Sequence, residues 1–383
     1  MQRRSFLKQA GLGTMAAGAA VSAPALAQDS PSISWRLASG FPAALDLRTG
    51  AGEMFCKFVA DATGGKFSIR PQADGAIASA AELLDAVGAA KVECAHVSSA
   101  ACFAKNPAFC FDSAVPFGLD TGSMDAWMLE GDGLRLTREL FKAHKILNFP
   151  LGNTGPQMGL WSNREIKRAT DLKDLKMRVD GLAAQVLARL GVAPQGAESA
   201  AQAEAAKQAG AARASQDGKP EAGAAPAGPD AVAGAGAYDD AKLGLNKTAK
   251  FYYGPSWWAP SEQLSLYINE EAWAKLPKHY QAALEAAALA AHTRTTAAYA
   301  ARNPAALAQL VAAGAQVRAL PRSVMDAAFE AAEQVYAALG EKDPKFKEIH
   351  DNYMGWRDHA MPWFRLTQGA YDQYLGVALS ARG

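Results

Sequence analysis

The chain has 383 residues, half of them hydrophobic and 20% charged, with a formal net charge of +1. Near-neutral charge excludes the electrostatic footprint of a nucleic-acid binder, and beyond the N-terminal leader no run is apolar enough to span a bilayer. The length suffices for two lobes with separate cores.

Residues 1–27 read as an export leader. Arg3-Arg4-Ser5-Phe6-Leu7-Lys8 has the twin-arginine pattern, a Gly/Ala-rich apolar stretch follows, and Ala25-Leu26-Ala27 offers a small-x-small cleavage site. Its removal takes the formal charge from +1 to −2. Ile33 to Ala38 is expected as a buried strand. A helix from about Leu45 follows, its apolar face formed by Met54, Phe55, Phe58 and Val59. Gly64-Gly65 ends it, and Phe67 to Arg70 is the next strand. Ser79-Ala80-Ala81-Glu82 is a capping box opening a helix with Leu83, Leu84 and Val87, and Val92 to Val97 is again a strand. This βαβαβ order predicts a mainly parallel α/β sheet.

One helix is predicted from Met124 to His144, then a strand from Ile146 running into Gly152-Asn153-Thr154-Gly155-Pro156-Gln157-Met158-Gly159. Met177-Arg178-Val179 reads as a strand and Leu182 to Leu190 as a short helix. Residues 196–237 are nearly all Ala, Gly, Pro and small polar types. That composition buries too little apolar surface to offset chain entropy, so the segment is expected to lack fixed structure, or to reflect a locally shifted reading frame. Leu264 to Ile268 and Gln316 to Leu320 are strands. Helices follow Pro277 to about Arg302, Ser323 to Leu339, and Pro344 to about Leu375 with a kink at Pro362. The last helix, rich in Trp and Met, is read as packing across the back of both lobes, with a dimer interface as the alternative. The four cysteines, Cys56, Cys94, Cys102 and Cys110, are read as buried free thiols, with a Cys102–Cys110 disulfide as the alternative. The spacing of Cys94, His96, Cys102 and Cys110 matches no usual zinc pattern.

Several motifs in order resemble the solute-binding proteins of tripartite ATP-independent periplasmic (TRAP) transporters, the DctP-like family, and within it the branch for 2-oxo acids and related monocarboxylates. They are Trp35-Arg36-Leu37-Ala38-Ser39 with Phe41-Pro42, Val92-Glu93-Cys94, the glycine-rich turn, Lys176-Met177-Arg178-Val179-Asp180-Gly181, Tyr238-Asp239-Asp240, and Tyr252-Tyr253 to Trp257-Trp258. The resemblance implies an α/β, two-lobed periplasmic binding protein fold with mixed sheets, a hinge and long C-terminal helices. It places a first lobe at 28–152, a second at 153–260, and a C-terminal region at 261–383 completing both. It implies a small carboxylate ligand, TRAP permease subunits as partners, a periplasmic location, and a homodimer through the C-terminal helix.

By the same resemblance Arg178 clamps the ligand carboxylate with its planar fork of donors. Gln157 offers a side-chain oxygen to ligand and cation, one of Trp257 and Trp258, taken as Trp257, borders the ligand, and Phe41 lies at a strand end where ligands collect. Asn153 is included, with a local turn bond as its competing role. The family's sodium or calcium ion is held by the glutamate of a Glu-Trp pair and by a second carboxylate. Counting back from Tyr238, the pair falls on Ala233 and Gly234, or near Gln216 and Asp217 if the extra residues are placed later, and Ala259 stands at the second carboxylate. Of the expected metal ligands only Gln157 is in place, with Glu262 three residues beyond Ala259. No catalytic motif is present and the six histidines are scattered. The reading is a periplasmic receptor without catalysis; the alternatives are a degenerate or sensory binding protein with an altered ligand, and an exported enzyme.

Overall fold

The computed structural model describes residues 31–196 and 229–382. The leader and most of the Ala/Gly-rich segment therefore lie outside the described residues. Two mixed sheets form the two lobes. β1 (Ile33–Ser39), β2 (Phe67–Gln72), β3 (Cys94–Val97) and β4 (Ile146–Asn153) belong to the first. The second holds β5 (Leu160–Ser162), β6 (Lys176–Arg178), β7 (Ala193–Gln195), β8 (Ala231–Ala233) and β9 (Phe251–Gly254). β10 (Gln263–Asn269) then returns to the first sheet, and β11 (Gln316–Ala319) joins the second. The strand orders are β2-β1-β3-β10-β4 and β11-β9-β5-β8-β6-β7.

The first sheet is parallel only across β2, β1 and β3; β10 inserts antiparallel between β3 and β4. The expected mainly parallel sheet is thus corrected to a mixed one. Local order along the chain indicated the first three strands, but not a strand arriving from more than a hundred residues later.

The helices are short in the first lobe and long toward the C-terminus. α1 (Asp46–Ala62) buries Phe55 and Val59 against Trp35 and Phe67, the face the periodicity predicted. The capping box forms as expected: Glu82 accepts from the Ser79 amide at 3.2 Å and from its hydroxyl at 2.6 Å, opening a 3-10 turn that leads into α2 (Leu83–Gly88). The single helix predicted over 124–144 is instead two, α3 (Thr121–Leu129) and α4 (Gly133–Lys142). The break folds tightly over Trp127: a Cβ on Gly133 would fall 2.7 Å from that indole, so only glycine fits.

α5 (Gly181–Arg189) and α6 (Ala237–Lys242) serve the second lobe, and α7 (Glu270–Ala274) follows β10. α8 (Lys278–Ala312) spans both lobes. Its Leu284, Ala287 and Ala291 join the core of the first, and its Ala306 and Leu310 pack with Trp161 and Tyr252 of the second. It runs beyond the predicted end, through Pro304.

α9 (Arg322–Lys342) and α10 (Pro344–Phe364) lie across both lobes in one apolar cluster containing Phe111, Trp257, Val335 and Tyr353. Pro362 does not stop the last helix; a π-helical turn at Arg365–Gly369 carries it into α11 (Ala370–Ser380). Packing ends sooner than expected, since Met361 and Trp363 are exposed.

A second correction concerns the Ala/Gly-rich segment. Its final part, Ala231–Ala233, is an internal strand paired with β5 on one side and β6 on the other. Neighbours on both sides satisfy its backbone groups, and burying Val232 contributes about 1.5–3 kcal/mol. All four cysteines are buried and free, and no group of metal-binding side chains forms among the described residues. No described helix is long and apolar enough to cross a membrane.

Asp112 is the buried polar centre of the first lobe. It accepts from Asn148 of β4 at 2.9 Å, and from Gln263 at 3.2 Å and Tyr267 at 2.6 Å of β10. Burial, opposed by these hydrogen bonds, raises its carboxyl from 3.8 to about 6. Between those values the native state keeps a proton that the unfolded chain has lost. The stability contributed by neutral Asp112 is therefore complete below 3.8 and is lost as pH rises through about 6. Asp112→Asn cannot ionise, so its Tm relative to the parent should rise between about pH 4.5 and about pH 7.5. A pH-independent Tm difference contradicts this assignment.

Candidate functional site

A cavity of about 310 Å³ opens between the lobes. The first lobe supplies Ser98, Ala100 and Ser113; the second supplies Gln157, Val179 to Ala183, Ala233 to Ala235, Trp258 and Ala259, with Glu262 at the crossing. The Ser98 and Ser113 hydroxyls are buried and 2.9 Å apart. α5 begins at the cavity wall, and its first-turn amides add partial positive charge there.

Gln157 is buried beyond the glycine turn, where Gly155 takes a positive φ of 72°. Its side-chain nitrogen donates to the Thr154 hydroxyl at 2.7 Å, which leaves its amide oxygen for the cavity. The same Thr154 hydroxyl accepts the Glu262 amide at 3.1 Å, while the Thr154 amide donates to the Glu262 carbonyl at 3.0 Å. Gln157 and Glu262 are thereby held to one threonine.

The other sequence-derived residues are placed as follows. Arg178 ends β6, half-buried, immediately before the wall residues Val179 to Ala183. Its guanidinium is not among the lining groups and has no hydrogen bond or ion pair among the described residues. Trp258 lines the cavity. Trp257 lies behind it, edge-on to Trp258 and stacked on Phe117 with ring centroids 5.5 Å apart. Asn153 is fully buried and accepts the Gly155 amide at 2.9 Å, which is the turn role. Phe41 lines a neighbouring cavity of about 490 Å³ together with His96, and covers the Arg48 guanidinium at 5.5 Å.

Ala233 reaches the cavity wall but Gly234 could not carry a tryptophan in this backbone. A Cβ there would lie 2.6 Å from Asp240 Oδ2. Asp240 is pinned in that position: its carboxylate accepts from Tyr252 at 2.6 Å, Trp161 at 3.0 Å and the Ala235 amide at 2.9 Å. At the first of the two matches for the Glu-Trp pair the chain thus presents a small-residue wall propped from behind; the other match, near Gln216 and Asp217, lies outside the described residues. For a sodium or calcium ion the wall offers the Gln157 oxygen and the Glu262 carboxylate. Glu262 is already engaged by Arg48 at 2.9 Å, so these two donors do not by themselves complete a cation shell, and no metal-binding group of His, Cys, Asp and Glu forms among the described residues.

The model of bacterial extracellular solute-binding protein family 7, DctP, matches residues 39–205 and 230–343. The chain belongs to this family. It is 36% identical, over 98% of its length and 99% of the other's, to a monocarboxylate 2-oxoacid-binding periplasmic protein of Nostoc sp.. It also resembles a TRAP transporter solute-binding protein of Bordetella bronchiseptica, solved as a mixed-occupancy dimer with calcium and picolinate in one site. That likeness has a TM-score of 0.81 and 38% identity, over 92% of this chain and all of that one. A TRAP solute-binding protein of Pseudoalteromonas atlantica, solved with sodium and pyruvate, matches with a TM-score of 0.79 and 28% identity, over 89% of this chain and 99% of that one.

Sequence reasoning on this DctP-family chain assigned no role to Arg48, Asp239 or Asp240. Arg48 is 6% exposed in the first turn of α1 and bonds Asp239 Oδ2 at 2.9 Å. Burial opposes its charge, yet Glu262 and Asp239 outweigh burial and hold the guanidinium above its ordinary value. Beside it, burial and the Arg48 charge push His96 down to about 3, so that ring is neutral. The motif Tyr238-Asp239-Asp240 was a visible signal, but the partners of its two carboxylates lie far away in sequence.

Proposed function

We propose that the chain is an exported receptor that captures a small monocarboxylate of the 2-oxo acid type between its lobes and delivers it to TRAP membrane subunits. The observation that carries the reading is the interlobe cavity itself. It presents an amide oxygen from Gln157, two serine hydroxyls and the first-turn amides of α5, with Arg178, whose side chain has no partner among the described residues, beside it. Arg178 is the anchor: closure brings its fork to the ligand carboxylate, a charge-assisted bond worth about 1.5–3 kcal/mol. Trp258 covers the ligand's apolar end. The relatives' pyruvate and picolinate support the acid class, and their sodium and calcium support a cation sharing Gln157, Glu262 and the ligand's own oxygens. Export by the twin-arginine route and a receptor role without turnover complete the reading.

The Arg178 side chain has no hydrogen bond or ion pair among the described residues, so Arg178→Ala should shift ligand-free Tm by no more than about 1–2 °C, corresponding to about 0.5 kcal/mol. The parent should gain Tm with millimolar pyruvate and the variant should not, as measured by thermal shift. An equal pyruvate-induced gain in both would remove Arg178 from the site.

The partner of the C-terminal helix is a second copy of this chain. No residue of α11 is buried, and Trp363, Leu366, Tyr371, Tyr374 and Val377 expose apolar surface that a monomer leaves wet. The Bordetella bronchiseptica relative is itself described as a dimer. Light scattering should give a dimer for the parent and a monomer for the double variant Leu366→Asp, Tyr374→Asp; a monomeric parent contradicts this.

A further inference from the structure

One buried ion cluster touches both lobes and the cavity at once. Arg48 Nε donates to Asp239 Oδ2 and Arg48 Nη1 to Glu262 Oε2, each at 2.9 Å. Arg48 belongs to α1 of the first lobe and Asp239 to α6 of the second. Asp239 is 1% exposed, and its two oxygens also accept the Tyr299 hydroxyl of α8 at 3.1 and 3.0 Å. Glu262 lines the cavity and shares Thr154 with Gln157. A continuous run of polar contacts therefore passes from Asp239 through Arg48, Glu262 and Thr154 to Gln157. Nearby, Asp46 adds the Tyr238 hydroxyl at 2.9 Å and Lys242 at 3.5 Å.

Two features separate this cluster from surface ion pairing. A buried guanidinium facing two carboxylates cannot be exchanged for water without leaving charge unpaired, so its geometry is strongly preferred. Each carboxylate also has its own second attachment: Asp239 to Tyr299, and Glu262 through its backbone to Thr154. Movement of α1 against α6 must therefore break a buried bond at Asp239 or drag the Glu262 carboxylate along the cavity wall.

We propose that Arg48 is a positioning residue of the acid site: it orients the Glu262 carboxylate on the cavity wall and ties α1 of the first lobe to α6 of the second. Lobe angle and ligand affinity are then coupled through one guanidinium, because the arrangement that satisfies Asp239 is the one that holds Glu262 at the cavity wall. The affinity half rests on the capture reading; the tie between lobes holds whatever solute binds.

The test uses the mature full chain with spin labels at Asp61→Cys and Lys173→Cys, one exposed site on each lobe. Ligand-free interlobe distances and pyruvate affinity are both measured. Asp239→Asn, which keeps the Arg48–Glu262 pair, should lengthen the ligand-free distance and weaken pyruvate binding by about tenfold. Arg48→Met also releases Glu262 and should weaken binding at least as much, and adding Asp239→Asn to it should change affinity by less than about twofold, since the tie to Asp239 is already gone. Arg48→Lys, which keeps the charge without the fork, should recover part of both effects. Multiplying effects in the double variant, or ligand-free distances unchanged in Asp239→Asn, overturn the proposal. If Arg48→Met does not fold, Asp239→Asn and Arg48→Lys decide the matter through the same two readouts. If the parent fails to bind pyruvate, the acid-capture reading falls, while the ligand-free distances still test the tie.

Discussion

The structure depends on the crossing of two paired strands between the lobes. β4 and β10 run antiparallel, with Asn153 opposite Gln263, and the pairing continues one step further as the Thr154 amide meets the Glu262 carbonyl at 3.0 Å. There the chain leaves the first sheet on one strand and enters it on the other. That crossing joins the two sheets through few residues, while α8, α9 and α10 pack on both lobes beside it. It also explains why the cavity's polar groups sit where they do. Gln157 and Glu262 emerge directly from the crossing, so any change in lobe angle is felt at both.

Around that crossing the second lobe presents small residues, Ala233 to Ala235 and Ala259, to the cavity. Where the family resemblance implies a glutamate and a tryptophan, Ala233 and Gly234 leave the wall open, and Asp240 occupies the space behind Gly234. The wall's remaining carboxylate near the ligand is shared with Arg48. In the proposed reading an acid held here relies on directional donors: Arg178 on closure, the α5 amides and the serine hydroxyls. A cation would need the ligand's oxygens to finish its shell. The family's chemistry is retained in outline, with the weight moved from the missing pair toward the hinge.

Much of this was legible in sequence, for local reasons. β1, α1 and the Ser79–Glu82 box follow from apolar spacing and capping chemistry within a few residues. The strand ending in a glycine turn and the Lys-Met-Arg strand were equally visible, and so was the family. What escaped depends on distance or on context. Arg48 meets Asp239 across 191 residues, and nothing in the first turn of an ordinary amphipathic helix marks its guanidinium as buried. β8 is Ala-Val-Ala inside a stretch whose composition argues against order, and only pairing on both sides makes it a strand. Neither spacing nor composition could say that Trp258 faces the cavity while Trp257 stacks on Phe117, because adjacent residues in a loop have no fixed period.

Capture of a small 2-oxo acid between these lobes is what the proposed function requires. Calorimetric titration of the purified mature chain with pyruvate, in defined sodium or calcium and again after chelation, tests it most directly. The account predicts saturable one-site binding at micromolar or tighter Kd, about −8 kcal/mol or stronger, with affinity reduced once the cation is removed. Absence of binding heat for pyruvate and other 2-oxo acids under every cation condition and across temperatures would contradict it.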